Sequence, residues 1–166
     1  MGKEPPVSER IGAELKLLRE NVPGVRGSIT ASSDGLLVAE DVHDLEPTQI
    51  AALVAAMHAV AIRAAVNTQC GQLKEVITRG SEGYLAVYAA GTAAIVAVLG
   101  TTDLNVGMLN LQARAAIERI AAHSAATAKR RPAAGSTQAS SRPASQNGTG
   151  PLPARRPRGS QQARAN

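Results

Sequence analysis

The chain has 166 residues, enough for one domain, and 44% of them are hydrophobic, yet it holds no Phe, no Trp and only Tyr84 and Tyr88 as aromatics. Its net charge of +5 sums two opposite parts: residues 1–128 carry 10 Lys and Arg against 13 Asp and Glu, whereas residues 129–166 carry 8 Lys and Arg and no acid. The basic balance belongs to the C-terminal tail, which excludes reading the whole chain as a basic nucleic-acid-binding domain.

Residues 1–7 form a short extension without the apolar run of a signal peptide. Ser8 is placed to cap a first helix whose apolar positions Ile11, Leu15, Leu18 and Val22 share one face, and Pro23-Gly24 ends it. Val25, Gly27, Ile29 and Ala31 alternate as a strand. Residues 36–40 are its partner across Ser33-Asp34-Gly35, because Asp-Gly between two β-type runs is a strong hairpin signal. Glu40, Asp41, Asp44 and Glu46 make an acidic connection, read as solvated and placed to favour the dipole of the helix that follows.

Pro47 suits the first turn of that second helix, which runs to about Cys70 and stops at Gly71. Ile50, Leu53, Val54, Met57, Val60, Ala61 and Ala64 form its expected inner face. The opposite stripe holds Gln49, Ala52, Ala56, Ala59, Arg63, Val66, Asn67 and Cys70, with small residues in the middle where Lys and Glu would mark a solvated face. Two explanations stand: a second close-packed surface, or simply the helix propensity of alanine.

Residues 72–79 read as a strand with Leu73, Glu75 and Ile77 on one face and Lys74, Val76 and Thr78 on the other. A Gly-Ser-Glu-Gly turn follows, then a hairpin of residues 84–89 and 93–99 that is apolar on both faces and hence central. Residues 83–102 carry no charge and approach the length of a membrane-spanning helix, but Ala90-Gly91-Thr92 interrupts them, so two adjacent buried strands are expected instead. Asn105 can cap a last helix over residues 107–126, with Leu109, Ala113, Ile117, Ile120 and Ala121 inward. The order is αββαβββα: an α+β domain over residues 8–126, one five-stranded, mainly antiparallel sheet with helices on both faces. Residues 127–166 have Leu152 as their sole large aliphatic and are expected to be a disordered, Pro-, Ala-, Arg- and Ser-rich tail.

Chemistry is sparse. No phosphate-cradling glycine motif occurs, and His43, His58 and His123 lie far apart with no ligand at metal-binding spacing. Ser33 and Ser81 are turn residues without a nearby base. Cys70, the sole cysteine, is expected as a small packed residue rather than a reactive thiol, and it fits a reducing, cytoplasmic setting. Arg79 beside its Gly-rich turn reads as an exposed strand-end charge rather than a reaching catalytic group. No enzyme activity, catalytic residue, cofactor, metal or small-molecule substrate is expected.

The chain resembles the roadblock (dynein light-chain type) domain family, and within it the bacterial members associated with small Ras-like GTPases. The resemblance rests on Val25-Arg26-Gly27-Ser28 and on Ser33-Asp34-Gly35-Leu36-Leu37-Val38-Ala39. It continues in residues 72–77 with 83–87, and in Asn105-Val106-Gly107-Met108-Leu109. It implies a profilin/longin-like sandwich that homodimerises by pairing the third strand across two chains and packing the second helices together. The interface residues it implies are Gln49, Ala52, Ala56, Ala59, Arg63 and Asn67 of the helix with Leu73, Glu75 and Ile77 of the strand. The dimer would then bind a Ras-like small GTPase and modulate its nucleotide hydrolysis or exchange. Two alternatives are a dimeric adaptor that tethers signalling proteins, such as a sensor kinase, and a nucleic-acid or membrane binder acting through the basic tail clusters at residues 129–131 and 155–158.

Overall fold

Helix α1 (Val7–Asn21) opens the fold, and strands β1 (Val25–Ser32) and β2 (Leu37–Asp41) follow as a hairpin. Helix α2 (Pro47–Asn67), strands β3 (Glu75–Gly80), β4 (Gly83–Ala90) and β5 (Ala94–Gly100), and helix α3 (Val106–Ala128) complete it. The structure is a computed structural model and describes residues 5–128. The tail expected from residue 127 begins later, since Thr127 and Ala128 end α3, and residues 129–166, with the two basic clusters, lie outside the described residues.

The sheet order is β2-β1-β5-β4-β3, and all four strand pairings are antiparallel. The αββαβββα order is as expected. The uncharged run that approached spanning length is β4, a turn and β5, with β5 central and buried along both faces. β1 is also buried on both faces, Ser28 and Thr30 included, although Val25, Gly27, Ile29 and Ala31 alternate with polar residues along it. The helices explain the difference. α1 and α3 cover one face, where Ile11, Leu15, Val96, Val98, Leu109 and Ile120 meet; α2 covers the other through Ile29, Ala51, Val54, Val87 and Ile95. Each fully buried Val, Leu or Ile contributes about 1.5–3 kcal/mol, and without Phe or Trp the close spacing depends on Ala86, Ala90, Ala97 and Ala113.

Local signals account for most element ends. Gly35, at φ +87°, closes the β1–β2 turn by donating its N–H to Ser32 O at 2.9 Å. Pro47 stands at the start of α2, and Asn105 caps α3 by accepting the Met108 N–H at 3.0 Å. Ser8 does not cap α1: the helix already begins at Val7 with Pro6 at the cap position, so Ser8 lies inside the first turn. Asp41 is not part of a solvated loop. It ends β2, and its carboxylate accepts from Arg19 Nε at 2.6 Å and Nη2 at 3.1 Å, which ties α1 to the sheet edge. That hydrogen bond raises the Arg19 pKa further above its ordinary value.

Gly12 sits within α1 with open space around the position a Cβ would take. Gly12→Ala should therefore stabilise the domain by about 0.5–1 kcal/mol, read as a higher urea midpoint at unchanged slope.

Candidate protein interface

α2 leaves β2 at one edge of the sheet and delivers the chain to β3 at the other. Its 21 residues make a rod about 30 Å long. Near its start it lies against the β1–β2 hairpin, where the space above Gly35 is closed by the Ala52 backbone. Its buried residues are Ala51, Val54 and Ala55, and none after Ala55 is buried. Met57 reaches β3, its Sδ accepting from Thr78 Oγ1 at 3.7 Å. Beyond that point the helix stands largely clear of the sheet.

The expected inner face is thereby corrected. Leu53 is 69% exposed and Val60 67%; both flank the small-residue stripe instead of packing on the sheet, because the covered arc is narrow and centred on Ala51, Val54 and Ala55. Gln49, Ala52, Ala56, Ala59, Arg63 and Asn67 are all exposed, as is Ala64. Ile62 and Val66 are exposed as well. A largely apolar helix that is uncovered over its second half is an unusual feature of a monomeric surface. By length and composition α2 could also cross a bilayer, but its first half is packed on the sheet. Partial burial of His58 on this helix lowers its pKa.

α2 ends at Asn67, earlier than the expected Cys70, since Thr68 Oγ1 caps back on Ala64 O at 2.7 Å and Gln69 turns to φ +56°. Cys70 is exposed, not packed, and its Sγ lies 3.1 Å from Thr68 Oγ1.

β3 is an edge strand: it pairs with β4 on one side and with nothing on the other among the described residues. It begins at Glu75, so Leu73 lies in the lead-in to the strand. Val76 packs in the α2-side cluster, while Glu75 and Ile77 stand opposite Tyr88 and Ala86, which belong to the α1/α3 side. The two halves of the expected interface therefore lie on opposite faces of the sheet, and the open β3 edge joins them.

Arg79 does not extend freely. Its guanidinium lies over the Tyr84 ring at 5.5 Å, a cross-strand cation–π contact. Beside β3 a groove of about 610 Å³ opens towards α3, walled by Leu73, Glu75, Tyr88, Asn110 and Arg114. Tyr88 Oη donates to Asn110 Oδ1 at 2.5 Å, and Asn110 Nδ2 donates to Glu75 Oε1 at 2.9 Å. No sequence signal marks this chain of bonds, because the β3–β4 register and the placement of α3 assemble it together. Burial, with a smaller push from the Glu75 charge, raises the Tyr88 pKa well above its ordinary value.

The fold thus favours the neutral phenol, whose contribution is complete below the unfolded pKa of about 10 and is lost as pH rises beyond it. Tyr88→Phe should cost about 1 kcal/mol at pH 8, and the gap to wild type should narrow by pH 11, as read by urea denaturation at both values.

Among the described residues, no group of His, Cys, Asp and Glu converges to hold a metal ion. The surface offers apolar area and an open strand edge, which suits protein binding. A sequence profile of the Roadblock/LC7 domain matches residues 11–100.

The chain belongs to the Roadblock/LC7 family.

Solved structures agree with the assignment. The gliding protein MglB of Thermus thermophilus superposes with a TM-score of 0.65 at 19% identity, covering 75% of this chain and 95% of that one. MglB of Myxococcus xanthus gives 0.64 at 16% identity, covering 74% and 91%. A Roadblock/LC7 domain from Streptomyces avermitilis gives 0.60 at 21%, covering 66% and 92%. At these identities the likeness is one of fold. A search of curated protein sequences returns no match. In this Roadblock domain, among the described residues, β3 leaves one sheet edge unpaired and β2 the other, and α2 leaves an apolar outer face exposed.

Proposed function

We propose that this Roadblock domain is a non-catalytic homodimeric regulator or scaffold in the cytoplasm that binds a Ras-like small GTPase and modulates its nucleotide hydrolysis or exchange. Family membership supports the reading, as does the match in fold to MglB. The observation that carries it is the second half of α2, where Val60 and Val66 are each 67% exposed, together with a β3 edge that pairs with nothing among the described residues. Two copies would cover both features by pairing β3 with β3 and laying their α2 helices together. The joined helices would present a docking floor spanning both chains.

Regulation would then follow from population shift. The dimer binds one switch conformation of the GTPase more tightly than the other and pulls the equilibrium towards it. Couplings of this kind amount to about 5- to 150-fold. Adding the purified full chain to the Ras-like GTPase encoded nearest to it should change nucleotide hydrolysis or release within that range, with no turnover by the chain alone. Binding without any kinetic change would favour the adaptor reading. Failure to bind at all would overturn the proposal.

A further inference from the structure

The free edge of β3 carries two opposite charges at fixed spacing. Glu75 opens the strand, and its carboxylate is anchored through Oε1 by Asn110 Nδ2. Arg79 lies four residues on, stacked over Tyr84. No Lys or Arg among the described residues forms an ion pair with Glu75, and no carboxylate forms one with Arg79. Both are on the α1/α3 side of the strand, with Ile77 between them, since their β4 partners Tyr88, Ala86 and Tyr84 all pack in that cluster.

Symmetry restricts how two such edges can meet. If the α2 stripes of both copies are to lie on one side of a continuous sheet, the two-fold axis runs perpendicular to that sheet and the β3 strands are antiparallel. Directly opposed residues in an antiparallel pair point to the same face. Opposed residues must therefore both be odd-numbered or both even-numbered, and one residue stands opposite its own copy.

Four registers oppose at least three residues of β3, and the one with Arg79 on the axis sets that arginine against the partner's Arg79. With Val76 on the axis, Glu75 faces the partner's Ile77. With Thr78 on the axis, Ile77 faces the partner's Arg79 and Glu75 faces the partner's Ser81. With Ile77 on the axis, Ile77 meets the partner's Ile77, and Glu75 meets the partner's Arg79 twice over by symmetry. Opposed Cβ atoms in such pairs stand about 4.5–5.5 Å apart, within reach of a Glu–Arg ion pair.

We propose that a second copy of this chain docks on the β3 edge in the register that places Ile77 on the two-fold axis, with Glu75 and the partner's Arg79 forming two symmetric ion pairs that select it. This rests on the dimer reading above and adds to it a register and the residues that choose it. Asn110 then acts as a positioning residue: it holds the Glu75 carboxylate by one oxygen and leaves the other for the incoming guanidinium.

Charge exchange in the full chain tests this. Glu75→Arg and Arg79→Glu should each weaken self-association at least about tenfold, since each sets two like-charge pairs opposite one another. The double variant should recover to within about threefold of wild type. An equimolar mixture of the two single variants should form heterodimers in preference to either homodimer, because every opposed pair in the mixed species is complementary. A second measurement is independent of charge: in a Cys70→Ser background, Ile77→Cys should give a disulfide-linked dimer on oxidation, and Val76→Cys and Thr78→Cys should not. A dimeric wild type whose single charge variants associate unchanged, or whose cross-linking follows Val76→Cys or Thr78→Cys, overturns the register and leaves the dimer standing. A monomeric wild type overturns both.

Discussion

An Ala56→Arg variant of the full chain should lose self-association by about two to three orders of magnitude while its monomer remains folded. Ala56 lies on the exposed stripe of α2, with Ala52 and Ala59 about one turn away on either side. Small side chains let two helices approach to about 8 Å, and an arginine cannot be accommodated at that distance. It would also bury a charge without a partner, which costs about 3–5 kcal/mol. In the monomer the same side chain is free to extend into solvent, where substitutions stay within about 0.5 kcal/mol. Equilibrium sedimentation reads the association and circular dichroism reads the fold. Ala56→Ser, which keeps the volume small, should associate like wild type. Unchanged association of Ala56→Arg would remove α2 from the interface.

Gly83→Ala should destabilise the domain itself by about 3 kcal/mol or more. Gly83 opens β4 at φ +152°, and a methyl group there would collide with the carbonyl oxygen of Gly100 at the end of β5. β5 is the central strand and cannot yield without disturbing β1 on its other side. The melting temperature should fall by about 10–20 °C. A fall of less than about 2 °C would mean that the β3–β4 turn relaxes and that the edge carrying Glu75 and Arg79 is softer than the geometry indicates.

The two variants separate assembly from folding, and that division matches what was legible in the sequence. Periodicity gave the inner face of α1, where Ile11, Leu15 and Leu18 are buried, because that helix rests on the sheet along its length. Turn chemistry gave Gly35, and capping gave Asn105, since both act within a few residues of chain. The inner face of α2 was misread at Leu53 and Val60 for a physical reason. Apolar residues predict burial, but they do not say whether the cover is the chain's own sheet or another molecule. A helix that crosses from one sheet edge to the other and outruns its support has apolar residues on both sides.

The site was legible in part. The small-residue stripe of Ala52, Ala56 and Ala59 stands out as a sequence pattern, whereas Ile77 and its strand enter the site only through the family resemblance. That they lie on opposite faces of the sheet follows from the pairing of β3 with β4, which is not a local property. The Tyr88–Asn110–Glu75 chain of hydrogen bonds joins residues 22 and 35 positions apart and has no sequence signature. The Arg19–Asp41 bridge is similar: an acidic run suggested solvent, and the topology supplied a guanidinium.

Whether two chains join through β3 and α2 is read by sedimentation velocity on the 166-residue chain. From low to high micromolar concentration the expected species has twice the 17.0 kDa chain mass and is displaced towards the monomer by Ala56→Arg. A single 17.0 kDa species across that range would contradict that pairing.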